Sequence, residues 1–339
     1  MKRIGFCSAI ASLALMFVPA IAQAEGPPSR WDRAKEPDKI EDYRLHVSVL
    51  RSFPRIFEAK HFRSDIYERL VRDLLVSLEA WDAANSPDVR IRVDFGRALF
   101  EHGEVKRARE VLESAVKMDP NHPAVLESWF ILGLACGHMG DHLCEREAYQ
   151  KTIDLETEDE GRMTPTLNLA EVEMHLGHLK ESIALYQETH RLAARVGSNK
   201  TVILAEWGLA IAFDREGDRP SAERAAKRAL EISSSIRHDM LHDPSVSFYP
   251  PYEISYYEGL GAVVLARSAS SAHDAAIYWA LAERKFGQFV SGAEKTNPTD
   301  RYLGMGKVRL AASKVEREKA EKRRAKEPVK RSEEEDLPL

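Results

Sequence analysis

The chain has 339 residues, 44% of them apolar, 30% charged and 8% aromatic; that much apolar material excludes wholesale disorder and leaves either two globular domains or one elongated repeat array. Forty-nine Lys and Arg against 54 Asp and Glu give a net charge of −5, too balanced for a dedicated nucleic-acid binder, and three cysteines are too few for a disulfide scaffold. Only 18 glycines, with abundant Ala, Leu, Glu, Lys and Arg, favour helix over strand.

In chain order, Lys2 and Arg3 precede an apolar run from Ile4 to Ile21 interrupted by Pro19, and Ala22-Gln23-Ala24 closes it. That order is expected of a secretory signal peptide cleaved near Ala24, with a retained membrane anchor as the alternative. The mature protein is then expected in the periplasm or outside the cell, with no transmembrane segment, since no later run approaches ~18 apolar residues. Residues 25–39 carry three prolines and little apolar content, which predicts a flexible lead-in. Residues 40–88 hold two further helical patterns. Ile66, Leu70, Leu74, Leu75 and Leu78 recur at three-to-four spacing, with Ser64-Asp65 available as an amino-terminal cap.

From residue 89 the pattern repeats. Gly103, Gly140, Gly177 and Gly217, separated by 37, 37 and 40 residues, each follow one helical pattern and precede another, where a left-handed residue lets a helix reverse tightly. A large apolar residue and a small one stand before each glycine: Phe95-Gly96, Leu132-Gly133, Leu169-Ala170 and Leu209-Ala210. The small residue lets two antiparallel backbones approach, and the large one fills the seam.

On these residues the chain resembles the tetratricopeptide repeat (TPR) family, whose unit is a pair of antiparallel helices. The first copy adds Leu99, Ala108, Leu112 and Ala115 and closes on Asp119-Pro120. The second adds Trp129 and Tyr149 but has Glu145 and Thr152 where small residues are usual. The third adds Ser182 and Tyr186, and the fourth Phe213, Ala222 and Ala229. Four copies span 89–241, and a degenerate fifth follows an aromatic loop within 242–292, with Tyr257, Leu260-Gly261, Ala275, Trp279 and Ala282. The resemblance implies an all-α solenoid, for which the helices before residue 89 serve as a cap over an otherwise exposed apolar face; an irregular helical bundle is the alternative.

It also implies a concave, partner-binding groove lined by the first helix of each unit. Carried over, the groove positions are Arg90, Val93, Arg97 and Phe100; Phe130, Leu134 and His138; Leu167, Glu171 and Met174; and Trp207, Ile211 and Asp214. The floor is then apolar with a cationic end. The family's carboxylate-clamp subset has Lys and Asn where this chain has Val93 and Arg97, so capture of a peptide's carboxyl terminus in that manner is not expected.

The segment Cys136 to Cys144, with His138 and His142 between them, has the donor types of a zinc site, although its spacing matches no common zinc module. The turn at Gly140 puts the two cysteines on opposite helices. A disulfide, two unpaired buried thiols and a metal site all remain open. Ser247 to Tyr257 carries five aromatic residues around Pro250-Pro251, suited either to peptide or glycan recognition or to packing the loop on the fourth and fifth repeats. Residues 293–339 predict a last packed helix over Leu303–Leu310, then a charged stretch that is either a solvated tail or a binding tail. Gly304 to Lys307 lacks phosphate-loop spacing, and neither G-x-S-x-G nor H-E-x-x-H occurs. No catalytic residue, metal or cofactor is therefore assigned. The reading is an exported interaction module or assembly scaffold of the cell envelope, not an enzyme, that takes a protein or peptide partner and no nucleic acid. A cell-wall-directed enzyme or carbohydrate-binding helical protein is the alternative.

Overall fold

A computed structural model describes residues 52–60, 63–243 and 246–326. The expected signal segment, the lead-in and the Glu-rich end of the tail lie outside the described residues. Among those described, the regular elements are all helical: α1 (52–60), α2 (Ser64–Ala80), α3 (Val89–Glu101), α4 (Val105–Met118), α5 (Val125–His138), α6 (His142–Leu155), α7 (Asp159–Leu176), α8 (Leu179–Val196), α9 (Asn199–Glu216), α10 (Arg219–Ile236), α11 (Ile254–Ser268), α12 (Ala272–Thr296) and α13 (Leu303–Arg324), with short 3-10 turns between some of them.

The helices pack as successive antiparallel hairpins, α3/α4 to α9/α10, followed by α11/α12. The four spaced glycines have φ of +89°, +70°, +88° and +96°. Around each, the N–H one residue beyond the glycine reaches back to a carbonyl of the last helical turn: Glu104 to Leu99 and Asp141 to Cys136 at 2.9 Å, His178 to Glu173 at 2.8 Å, and Asp218 to Phe213 at 2.9 Å. This bond satisfies an otherwise orphaned carbonyl while reversing the chain. A fifth glycine, Gly197 at φ +82°, does the same between α8 and α9.

Missing side chains set how closely helices approach. A Cβ on Gly96 would strike Leu112, one on Gly133 would strike Tyr149, and one on Gly208 would strike Tyr186. Tyr149 and Tyr186 thus press against the neighbouring first helices, α5 and α9. Hydroxyls complete the seams, Ser128 donating to the Leu112 carbonyl at 3.1 Å and Ser182 to that of Ala170 at 2.7 Å.

Both ends differ from the simple array. Helix α2 starts at Ser64 without a side-chain cap, and the Asp65 carboxylate pairs with Arg63 instead. Leu74, Leu75 and Leu78 pack with Ile91, Phe95 and Leu99 of α3, and Phe53 and Ile56 of α1 join that cluster. At the other end the helix expected over Leu303–Leu310 continues to Arg324. It lies along the 25-residue α12. Small residues make that possible: Gly306 sits against Phe289, and Ser313 and Ala320 are buried. The charged stretch is therefore docked as far as Ala320, with Arg317 held by Glu283 at 2.6 Å.

Candidate functional site

The first helices present one face to a cavity of about 1090 Å³. Its walls come from α2, the carboxyl end of α3, and α5, α6, α7 and α9, and part of one side is closed by the connection between α10 and α11. That connection is no edge loop. Met240 and Leu241 are buried, and the Tyr249 ring stands 4.0 Å from that of His138 on α5, which in turn meets Phe100 edge-on at 5.1 Å. Phe248 packs on Tyr257 of α11 at 5.1 Å. Polar anchors fix both ends of the crossing: Lys200 pairs with Asp243 at 3.3 Å, and Arg215 with Glu253 at 2.6 Å.

Of the groove residues expected from sequence, Phe100, Phe130, Leu134, His138, Leu167, Glu171 and Trp207 line this cavity. The other six do not. Val93 is sealed in the seam with Leu112 and Ala115. Met174 and Ile211 are buried in the carboxyl-terminal core. Asp214 accepts from the Tyr256 hydroxyl at 2.7 Å and from Arg309 of α13 at 3.0 Å, so a helix of the same chain covers that groove position. The Tyr302 hydroxyl likewise donates to the Met174 carbonyl at 2.6 Å. The expected cationic end is also absent. Arg90 and Arg97 reach Glu127 at 3.0 and 2.6 Å, and the Arg97 guanidinium lies 4.6 and 4.3 Å from the rings of Phe53 and Phe57 on α1. Beneath Arg90, burial pushes the Asp94 carboxyl up to about 7.

Several lining residues were not among the carried-over positions: His142, Glu145 and Tyr149 on α6, Asn168 and His175 on α7, Tyr186 on α8, Leu204 on α9, and Tyr257. Tyr149 and Tyr186 fit the repeat pattern and gave no signal of a lining role; only Glu145, where a small residue is usual, departs from it. Gly137 leaves the space that the Glu145 carboxylate fills, its missing Cβ standing 2.7 Å from Oε1. His142 Nδ1 lies 2.9 Å from Glu145, and the His142 and His175 rings stack at 5.0 Å. Burial raises the Glu145 carboxyl above its ordinary range, with the charge of Glu171 adding to the effect. Burial alone would lower His175, but the hydrogen bond to Glu171 and the charges of Glu253 and Glu171 raise it. Burial also holds the phenols of Tyr149, Tyr186 and Tyr257 well above the usual range.

Cys136 and Cys144 are bonded to each other, with 5.8 Å between their Cα atoms. The bond joins α5 to α6 beside the lining residues Gly137 and Glu145. Among the described residues, no group of three or more His, Cys, Asp or Glu is arranged to hold a metal ion, and no helix is long and apolar enough to cross a membrane. Replacing both cysteines by alanine is expected to lower the unfolding free energy by about 2–3 kcal/mol, because a short closed loop loses its constraint on the unfolded chain. Denaturant titration with and without reductant measures this, and the variant should be insensitive to reductant.

Family models described as "Tetratricopeptide repeat" match residues 93–162 and 162–235. A search of curated proteins returned no match. Among solved structures, a Rap protein complexed with Competence and Sporulation Factor aligns over 84% of this chain and 88% of its own, at 12% identity and a TM-score of 0.51. TPR-like repeats of a Podosopora anserina putative kinesin light chain align over 57% of this chain and 96% of theirs, at 18% identity and a TM-score of 0.46. MamA AMB-1 aligns over 49% of this chain and 90% of its own, at 19% identity and a TM-score of 0.43. The Rap likeness shows a shared helical fold. An array of such repeats is a protein-interaction scaffold, typically a non-catalytic one. With two consecutive repeat matches over residues 93–235 and hairpins that reverse at regularly spaced left-handed glycines, that stretch of the chain is an array of tetratricopeptide repeats.

Proposed function

We propose that this chain is an exported adaptor that holds an extended segment of a partner protein in the cavity between α2, the first helices of its repeats and the 246–249 crossing. One observation carries the reading: Phe130, Leu134, Leu167 and Leu204 stand only half-buried around a space of about 1090 Å³. Part-solvated apolar side chains gathered in one concavity mark a binding surface. The volume lies just above the ~300–1,000 Å³ typical of small-molecule pockets, which favours a stretch of peptide. Export is supported by the basic, apolar and small-residue order of residues 1–24 and by the Cys136–Cys144 bond, since disulfides persist in oxidising compartments. The same two features support a periplasmic or secreted location.

The test is selection of peptides from a random display library on the purified chain, followed by anisotropy titration of the synthetic winners. Phe130→Ala combined with Leu167→Ala is expected to weaken them at least tenfold. Leu143→Ala, on a residue 69% exposed and outside the cavity lining, should leave them unchanged. Equal binding by wild type and the double variant would overturn the groove assignment. For export, amino-terminal sequencing of the envelope-fraction protein should begin at Glu25, and a full-length cytosolic chain would refute it.

A further inference from the structure

The cavity is not uniformly apolar. Its floor holds two carboxylates, Glu145 on α6 and Glu171 on α7. Their ion-pair partners among the described residues are imidazoles, His142 at 2.9 Å and His175 at 3.8 Å. Among the described residues no Lys or Arg side chain pairs with either. The cations that do line the cavity lie elsewhere: Lys60 is taken by Glu101 at 2.8 Å and Lys200 by Asp243 at 3.3 Å, while Arg72 is exposed on α2 near Glu68. Other intramolecular carboxylates, such as Asp214, Glu253 and Glu206, already hold arginines. The floor carboxylates are thus paired, among the described residues, with imidazoles and with no fixed cation.

Around them stand aromatic walls. Tyr149, Tyr186 and Tyr257 line the same cavity as the two carboxylates. Carboxylates and aromatic rings gathered in one concavity are the chemistry that holds an ammonium or guanidinium group, by a charge-assisted hydrogen bond and by attraction to the ring quadrupole. The arrangement is also built at a cost in ordinary packing. Glu145 stands where a repeat's second helix ordinarily carries a small residue, and Gly137 leaves the room that its carboxylate occupies.

We propose that Glu145 and Glu171, walled by Tyr149, Tyr186 and Tyr257, form a subsite for a lysine or arginine side chain of the partner segment. The inference rests on the peptide-binding reading above and adds the chemistry of its specificity. The half-buried apolar residues Phe130, Leu134 and Leu167 take neighbouring side chains, and the floor reads one basic position. Glu145, 14% exposed at its side chain, and Glu171, 34% exposed, are shielded enough for the charge to count and open enough to be reached.

A positional-scanning peptide library bound to the full chain tests this. Wild type should enrich Lys or Arg at one position, alongside apolar preferences at others. Glu145→Gln with Glu171→Gln keeps the shapes and removes the charges. It should lose the basic preference, weakening Arg-containing peptides at least tenfold while binding their Gln-substituted counterparts as wild type does. Circular dichroism and melting temperature check the fold, and the single variant Glu171→Gln carries the same readout if the double variant is unstable. No peptide binding at all would refute the peptide reading itself. Peptide binding without basic enrichment, or an unchanged basic preference in both Gln variants, would refute only the cationic subsite. Agmatine alone shifting the melting temperature as strongly as the peptides do would assign the subsite to a free amine and also overturn the proposal.

Discussion

Replacing Arg215 by methionine is expected to lower the unfolding free energy by about 3–5 kcal/mol, one of the two largest single-residue losses anticipated in this protein. The Arg215 side chain is 0% exposed and that of Glu253 2%, with 2.6 Å between nitrogen and oxygen. The guanidinium also lies 3.9 Å from the centre of the Tyr302 ring and 5.4 Å from that of Tyr256. Three parts of the chain therefore meet on one cation: the end of α9, the turn that leads into α11, and the residue just before α13. Methionine fills the space but leaves the Glu253 carboxylate buried with no countercharge, and that desolvation is the source of the loss. Adding Glu253→Gln removes the orphaned charge, so the double variant should recover at least half of it. Guanidinium titration of wild type, both single variants and the double variant forms the cycle. A single-variant loss below about 1 kcal/mol would show that the pair contributes little. Hydrogen exchange should rise first over 246–257, the segment that the pair pins across the cavity.

Trp207→Ala should cost a comparable amount, about 3–5 kcal/mol, although the residue lines the cavity. Trp207 is 3% exposed, and its ring edge stands 3.0 Å from where a Cβ on Gly261 would lie. It wedges α9 against α11, and its deletion leaves a void that neither helix can close without shifting. Loss of binding in Trp207→Ala would then report a loosened scaffold. Phe130 is half-buried, so Phe130→Ala tests the cavity with far less structural damage. Trp207→Phe should retain most of the stability, and the three variants separate packing from recognition by melting temperature and anisotropy measured together.

The two positions also show what was readable along the chain. The hairpins were, because their determinants are local. A left-handed glycine every 37 to 40 residues and a small residue against a large one at each seam act within one or two helices, and the same physics recurs in each copy. The apolar half of the site was readable for the same reason, since Phe130, Leu134 and Leu167 follow from helix periodicity once the repeat register is known. The other half was not. Glu145, Tyr149 and Tyr186 sit on second helices, which the repeat pattern assigns to the outer layer. They reach the cavity only because Gly137, Gly133 and Gly208 on facing helices leave room for them.

Residue chemistry along the chain was enough to determine an all-helical repeat array, its turn positions and the pairing partners within each hairpin, because these depend on backbone chirality and short-range periodicity. Which stretch of the concave face stays open was decided only in three dimensions. Asp214 and Arg309 are 95 positions apart, and Met174 and Tyr302 are 128; their contacts bring α13 over the groove positions of the third and fourth repeats. Arg97 is covered at the other end by Phe53 and Phe57. A charged helix reads as solvated in sequence, yet its Gly306, Ser313 and Ala320 let it dock closely, and close packing between distant segments leaves no periodic trace in either of them.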